Sequence, residues 1–189
     1  MKQARVPSDS EMKRLLGAVA LTKHAGRNRA AIALSYYGGM RVGEIAALTF
    51  DDVVDRDGRL REVIQLRAET TKTDESRAVF VNEKLKKELI SYVRSFADTR
   101  AGDTPFLLTH KHTAFSPNTL CQLFGQLYDS AGLDGCSSHS GRRWFITKLA
   151  HSGISPKVIM TLAGHKNLTT TQRYIEVNDE LMRRAVDVL

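Results

Sequence analysis

The chain contains 189 residues with a formal net charge of +7, 42% hydrophobic residues and 26% charged residues. This length predicts one domain with a substantial core, since domains usually contain about 100–200 residues, and the composition excludes a disordered or collagen-like chain. Apolar stretches such as Ala30 to Leu34 are far shorter than the ~18 residues of a membrane-spanning helix, and no apolar run follows the first five residues. The sequence therefore predicts a cytoplasmic protein with no membrane partner.

The two cysteines, Cys121 and Cys136, have neither the C-x-x-C nor the zinc-site spacing, so neither a disulfide framework nor a structural metal site is expected. The positive charge is concentrated near the C-terminus. Between His139 and Arg184 there are eight Lys or Arg and three acids, so this segment carries +5 of the formal charge. A basic segment of this kind is typical of a surface that binds a polyanion, although a solvated helix face gives similar counts.

Capping residues and apolar spacing predict helices over most of the chain. Ser8 followed by Glu11 is a capping box, and apolar residues recur after it at helical intervals. Other helix starts are marked by Asn82 and by serine-proline pairs, and several helix ends are marked by glycine. The predicted helices start near residue 9, cover 28–37 and 42–48, start at Asn82 and at Ser116-Pro117, cover 141–152, run from Ser155-Pro156 to Gly164, cover 171–177, and end with a terminal helix over 178–189.

The segment 51–81 has a different pattern. Asp57-Gly58 predicts a turn, and 63–66 and 79–81 are rich in the β-branched and aromatic residues of strands. A polar loop over 70–76 separates these two runs. The predicted fold class is therefore α+β, a mainly helical domain with a small antiparallel sheet inserted.

Six polar residues lie at element edges or in loops, where packing does not require them. Two are guanidinium groups, two are imidazoles, one is an ammonium and one is a phenol. They are Arg41, Lys72, His139, Arg142, His165 and Tyr174, and Glu44 lies one turn after Arg41. This set contains no carboxylate pair, no metal-ligand set and no glycine-rich phosphate loop.

The surrounding sequence blocks resemble the catalytic domain of tyrosine recombinases, the phage integrase family. The blocks occur in the family's order: Gly-Gly-Met-Arg-Val-Gly-Glu-Ile (38–45), Thr-Lys-Thr (71–73), His-Ser-Gly-Arg (139–142), Leu-Ala-Gly-His (162–165) and Thr-Thr-Gln-Arg-Tyr (170–174). The resemblance extends from about residue 8 to 178. It implies the tyrosine recombinase catalytic-domain fold and a site-specific recombinase or integrase that cleaves and rejoins DNA through a 3′-phosphotyrosine intermediate.

The resemblance implies that all six polar residues are catalytic, with Tyr174 as the nucleophile. Physical chemistry agrees, because two planar guanidiniums can hold the charge of a pentacoordinate phosphate through bidentate hydrogen bonds, which suits Arg41 and Arg142. A phenol is a weak nucleophile at neutral pH and needs a base, for which His139 is the candidate. We expect His165 to donate to a non-bridging oxygen, Lys72 to protonate the leaving 5′-oxygen and Glu44 to support Arg41. No metal or other cofactor is required.

The resemblance further implies double-stranded DNA as the partner, a tetramer on that DNA, accessory DNA-bending proteins, and a mobile genetic element in a prokaryotic cytosol or nucleoid. The chain departs from the family pattern in two ways. Gly141 stands where leucine is usual, and glycine is expected to loosen the start of the helix that carries Arg142. Residues 1–189 are expected to form a single catalytic domain without the usual N-terminal core-binding domain, as a minimal recombinase or as part of a longer protein.

Two other functions are compatible with these residues. A type IB topoisomerase-like enzyme would use similar chemistry as a monomer and would relax supercoiled plasmid without recombinant products. A non-catalytic DNA-binding regulator could use the same fold, but it would not need all six polar residues.

Overall fold

The computed structural model describes residues 4–68, 76–95, 102–175, 182–183 and 186–187. Within these residues the chain forms nine helices and two strands. In chain order they are α1 (Asp9–Ala20), α2 (Ala25–Tyr36), α3 (Val42–Ala47), α4 (Phe50–Val53), β1 (Val63–Leu66), β2 (Arg77–Phe80), α5 (Glu83–Val93), α6 (Pro117–Ser130), α7 (Ser140–His151), α8 (Pro156–Ala163) and α9 (Leu168–Gln172). The predicted fold class is confirmed.

Helix α2 lies at the centre of the core. The residues from Ala30 to Leu34 are fully buried on every side, and the helix packs against α1, α5 and α7. A helix that is apolar all round needs partners on all its faces, which explains this central position. A second, smaller cluster joins α7 to α8 through Ile146, Ala150, Ile159 and Ala163. The C-terminal helices are therefore attached to the main core through α7, and α8 also contacts β2.

The helix starts predicted from capping residues are confirmed. The Ser8 hydroxyl accepts from the Glu11 N–H at 3.3 Å, and the Glu11 carboxylate accepts from the Ser8 N–H at 2.9 Å. Asn82 caps α5 by accepting from the Leu85 N–H at 3.0 Å. Each cap satisfies an N–H that has no partner within its helix, so each fixes where its helix begins.

The two strands pair antiparallel, with Val63 opposite Phe80 and Leu66 opposite Arg77. Strand β1 has the predicted bounds, whereas β2 begins two residues earlier than predicted. The predicted turn before β1 is present, since the Gly58 N–H donates to the Asp55 carbonyl at 3.1 Å. The predicted loop over 70–76 lies outside the described residues apart from residue 76.

Two further predicted segments differ from the structure. Helix α2 begins at residue 25 and not at 28, and the side chain of Asn28 lies inside it, where it donates to the Thr22 hydroxyl at 2.9 Å. Helix α4 occupies a stretch predicted as part of the sheet region, because Asp52 accepts from the Thr49 N–H at 2.8 Å and closes a single turn. Both segments depend on local side-chain hydrogen bonds that apolar periodicity does not reveal.

The prediction of a helix over 171–177 is wrong in its position. Helix α9 covers Leu168–Gln172, and Tyr174 follows in a turn in which its N–H donates to the Thr171 carbonyl at 3.0 Å. Residues 176 and 177 lie outside the described residues, as does most of the predicted terminal helix. In the described part of the chain, no helix has the length and apolar character needed to cross a membrane.

Candidate active site

The site begins at the N-terminus of α3, where Arg41 is the N-cap residue. The Arg41 guanidinium donates to the Glu44 carboxylate at 2.6 Å, and the Arg41 backbone N–H donates to the other Glu44 oxygen at 2.7 Å. The predicted contact between these two residues is therefore present. A third hydrogen bond, from Arg41 Nη2 to the Gly164 carbonyl at 2.8 Å, connects α3 to the end of α8.

Glu44 is the carboxylate at the centre of this cluster, and its side chain is only 1% exposed. Burial acts to raise the pKa of Glu44, but the hydrogen bond and charge of Arg77, together with Arg41, outweigh it and hold the pKa below its usual value. Glu44 is therefore ionised at neutral pH. Removing either arginine would leave a buried charge with less compensation, which is costly in a protein interior.

Arg142 lies in the first turn of α7 and is buried. Its guanidinium donates to the Gly39 carbonyl at 2.7 Å and to the Ala163 carbonyl. Within the described part of the chain it forms no ion pair. Burial, followed by the charges of Arg41 and Arg77, lowers the pKa of Arg142 to about 9, so it stays cationic at neutral pH in an unfavourable electrostatic environment. An anion bound here would relieve that unfavourable energy.

The backbone around Arg142 is held by close helix packing. A Cβ atom at Gly141 would lie 2.3 Å from Ser35 Oγ and 2.7 Å from Tyr36 Cδ2, so α7 crosses α2 at a distance that only glycine allows. Helix α7 also extends through this position from Ser140. Gly141 was expected to loosen the helix start, but in the structure it allows α7 to pack closely on α2 beside Arg142.

His165 follows the end of α8. Gly164 ends that helix in the left-handed region at φ +60°, and a Cβ there would lie 2.6 Å from Arg77 Cδ. Nδ1 of His165 lies 2.9 Å from the hydroxyl of buried Thr171. Burial, followed by the charges of Arg142, Arg41 and Arg77, lowers the pKa of His165 to about 4. The ring is therefore neutral at neutral pH and keeps one N–H donor.

Tyr174 lies beside this cluster, in the turn after α9. Its ring packs against the smaller apolar cluster of α7 and α8, and the guanidinium of Arg143 lies 5.4 Å from the ring centroid. That cluster includes Ala163, whose carbonyl accepts from Arg142, so the Tyr174 ring and the Arg142 guanidinium adjoin the same end of α8. Apolar packing thus holds the Tyr174 ring. The backbone of Tyr174 is hydrogen-bonded to Thr171, whose side chain contacts His165.

The other two predicted catalytic residues are not part of this cluster in the described structure. His139 immediately precedes α7 and is exposed; its backbone N–H donates to Ser137 Oγ at 3.3 Å, and its carbonyl accepts from the Arg143 N–H at 3.0 Å. Its side chain makes no hydrogen bond to the arginines among the described residues. Lys72 lies outside the described residues.

Sequence reasoning missed Arg77, the first residue of β2. Its side chain is 7% exposed and pairs with Glu44, with Nη2 at 2.7 Å from Glu44 Oε2. The available signal was strand alternation, because a period of two places Arg77 on the same buried face as Val79. Arg41 and Arg77 thus share one carboxylate, and Arg142 adds a third positive charge nearby, which leaves a net positive, largely buried site suited to an anion. Among the described residues, no three His, Cys, Asp or Glu side chains come together as a metal site.

Comparison with known proteins shows the family to which the chain belongs. The model of the phage integrase family matches residues 6–180. The tyrosine recombinase XerA of Thermococcus kodakarensis is 31% identical over 179 residues, which are 93% of this chain and 59% of that protein. The tyrosine recombinase XerC of Myxococcus xanthus is 30% identical over 168 residues, which are 85% of this chain and 54% of that protein. The chain belongs to the phage integrase family, and the predicted resemblance is confirmed.

Solved structures agree with this assignment. The crystal structure of XerA recombinase superposes with a TM-score of 0.77 and 25% identity, over 97% of this chain and 65% of that chain. The Tn1549 transposon integrase, solved in complex with transposon right end DNA, superposes with a TM-score of 0.78 at 18% identity, over all of this chain and 67% of that chain. The fold is therefore that of a tyrosine recombinase catalytic domain. The chain spans less than two thirds of the length of the curated relatives given above.

Proposed function

We propose that this protein is a site-specific DNA recombinase that cleaves and rejoins DNA strands through a 3′-phosphotyrosine formed on Tyr174. One observation carries the proposal: Arg41, Arg142 and a neutral His165 converge at the C-terminal end of α8, and Tyr174 lies beside them. This is a cationic site for a phosphate next to a nucleophile. The names of the relatives, which are tyrosine recombinases, support the same reaction.

The two arginines bind the scissile phosphate in this proposal. Attack by the Tyr174 oxygen on phosphorus forms the P–O(Tyr) bond while the bond from phosphorus to the 5′-oxygen breaks. Negative charge increases on the non-bridging oxygens in the pentacoordinate transition state, and guanidinium N–H groups stabilise it by bidentate hydrogen bonds. Arg142 gains most from the anion, since its charge has no carboxylate partner among the described residues. His165, as a neutral ring, donates its N–H to a non-bridging oxygen.

Two proton transfers balance the cleavage step. The phenol proton of Tyr174 passes to His139, and the leaving 5′-oxygen receives a proton from Lys72. A 5′-hydroxyl of a second strand then attacks the phosphotyrosine, releases Tyr174 and forms a new phosphodiester. The phosphotyrosine conserves the bond energy, so rejoining needs no ATP, and the cationic side chains supply the charge neutralisation without a cofactor.

The proposed substrate is double-stranded DNA of a mobile genetic element in the cytosol or nucleoid of a prokaryote. Residues 1–189 supply the catalytic domain, and strand exchange takes place in a tetramer assembled on DNA, with accessory DNA-bending proteins as further partners. The basic segment from His139 to Arg184 supports DNA binding, because cationic side chains bind the phosphate backbone. Some solved structural neighbours are described as complexes with DNA, including a dimer of lambda integrase bound to a core site.

Covalent capture on DNA tests the proposal. A nicked duplex from the flanking genomic region is incubated with the protein, and the protein–DNA adduct is separated under denaturing conditions. The wild type is expected to form the adduct, Tyr174→Phe is expected to form none while still binding DNA, and Tyr37→Phe serves as the matched control. If Tyr174→Phe still formed the adduct, Tyr174 would be excluded as the nucleophile. Plasmid relaxation without recombinant products would favour topoisomerase-like activity instead.

A further inference from the structure

The C-terminal end of α8 is held by three different arginines. The last carbonyls of a helix have no partner within it, and here Arg77 donates to Leu162 O at 2.7 Å, Arg142 donates to Ala163 O, and Arg41 donates to Gly164 O at 2.8 Å. Three consecutive carbonyls thus each accept from one guanidinium. Cations are favourable at this end of a helix because the helix dipole is negative there.

Arg77 differs from the other two arginines in how many of its donors are already used. A guanidinium has five N–H donors. Within the described residues Arg77 uses four of them, on both oxygens of Glu44, on Leu162 O and on Gly39 O. Among the described residues, Arg41 and Arg142 each use two of their side-chain donors, so both keep donors for a phosphate. Most donors of Arg77 are therefore occupied by groups of the protein itself and are not available to a substrate.

The partners of Arg77 connect the two sides of the site. Through Glu44 it reaches Arg41, because the same carboxylate accepts from both the side chain and the backbone N–H of Arg41. Through Leu162 O and its packing on Gly164 it reaches the turn that carries His165. We infer that Arg77 is a positioning residue, which fixes Arg41 and His165 relative to each other through its contacts with Glu44 and the end of α8. This inference rests on the proposed function for its effect on DNA cleavage.

The first test measures cleavage of the nicked duplex by Arg77→Gln. We expect cleavage to slow by about 10²-fold, since a displacement of about 1 Å in an active site has effects of that size, while noncovalent DNA affinity stays close to the wild type. Arg77→Lys is expected to recover only part of the rate, because an ammonium cannot reproduce the fork of hydrogen bonds. The matched control is Arg29→Gln, which removes a partly buried bidentate pair with Glu88 away from the site and is expected to leave cleavage unchanged.

Combination with Arg41→Lys separates positioning from a direct role. If Arg77 acts through Arg41, adding Arg77→Gln to Arg41→Lys slows cleavage by much less than it slows the wild type. Fully additive defects would mean that Arg77 acts independently of Arg41, which overturns the inference. A change that only destabilised the fold would not produce this dependence on the residue at position 41.

A second readout needs no DNA. The His165 N–H donates to Met160 O at 3.0 Å, and its amide hydrogen exchange reports how firmly the end of α8 is held. We expect faster exchange and a shifted His165 ring resonance in Arg77→Gln, and neither in Arg29→Gln. If the wild type forms no adduct on DNA but exchange responds in this way, the proposed function fails and the positioning role stands.

The double variant Arg77→Gln/Glu44→Gln keeps the inference falsifiable if Arg77→Gln does not fold. It removes both buried charges together, so no carboxylate is left unpaired. It is expected to show the same faster exchange at His165 and the same loss of cleavage as Arg77→Gln. Wild-type exchange at His165 together with a wild-type cleavage rate, in either variant, would overturn the inference.

Discussion

The protonation of His165 gives the structure a specific dependence of stability on pH. The unfolded chain takes up a proton on this ring near its ordinary pKa of 6.5, whereas the folded protein does so only near pH 4. Between these two values the unfolded state binds more protons, so the free energy of unfolding falls as the pH falls from 6.5 to 4. Above that window the ring is neutral in both states and adds no pH dependence.

The size of this effect follows from the separation of the two pKa values. One pH unit of separation is equivalent to about 1.4 kcal/mol, so the full window is equivalent to about 3 kcal/mol. Solvent reaches the partly buried ring and screens the arginine charges, which reduces the expected loss to roughly 2 kcal/mol. A loss of this size is large compared with the roughly 5–15 kcal/mol that stabilises an ordinary domain.

The assay is urea unfolding of the wild type and of His165→Asn at a series of pH values from about 7 to about 4. Asparagine does not titrate, so the difference between the two proteins isolates His165 from Glu44 and from the surface carboxylates. We expect the free energy of unfolding of the wild type, minus that of His165→Asn, to decrease by roughly 2 kcal/mol as the pH falls across the window. A difference that is constant with pH, or a ring signal that titrates near 6.5 in the folded protein, would refute the burial and arginine charges as the cause of the shift.

Three further predictions concern packing and catalysis. Gly141→Ala should destabilise the fold by about 1–3 kcal/mol in urea unfolding, because the new Cβ meets Ser35. The control Gly17→Ala, which has no atom within 4 Å of the new Cβ, should stabilise α1 by up to about 1 kcal/mol. Equal effects of the two substitutions would contradict the close packing at Gly141. Arg142→Lys should slow cleavage of the nicked duplex more than about a hundredfold, and a near-normal rate would remove Arg142 from phosphate binding. Lys72→Ala should cleave the ordinary substrate about 10²-fold slower and a substrate with sulfur at the bridging 5′ position nearly as fast as the wild type; equal defects on both would exclude Lys72 as the acid.

The elements that were predictable from sequence are those fixed by neighbours in the chain. The capping box of Ser8 and Glu11 and the cap at Asn82 act over three residues, so their patterns mark the starts of α1 and α5. The contact between Arg41 and Glu44 is also local, since the residues lie one turn apart. Thr49 and Asp52 also form a capping box over three residues, but α4 is a single turn, so no apolar periodicity follows the cap to mark a helix.

The rest of the site depends on contacts between distant segments. Arg77 was not identifiable as a site residue because its partner Glu44 lies 33 residues away, and a charged residue before a short apolar run is ordinarily a loop residue. The expectation that Gly141 loosens its helix was wrong because the glycine makes room for Ser35, which lies on another helix far away in the sequence. The family resemblance supplied the positions of Arg142 and His165, but not the carbonyls that they and the neighbouring arginine contact.

The end of α8 explains how buried Arg77 and Arg142 coexist with partly buried Arg41. Like charges in a shared low-dielectric site repel one another, and Glu44 compensates only part of that charge. The remaining compensation comes from backbone oxygens at the negative end of α8 and from the Gly39 carbonyl, which are dipoles and not full charges. Arg142 has only such carbonyl partners within the described chain, and its burial, followed by the charges of Arg41 and Arg77, lowers its pKa to about 9. In the proposed function, the scissile phosphate would therefore bind at Arg142, where the positive charge of the described site is least compensated.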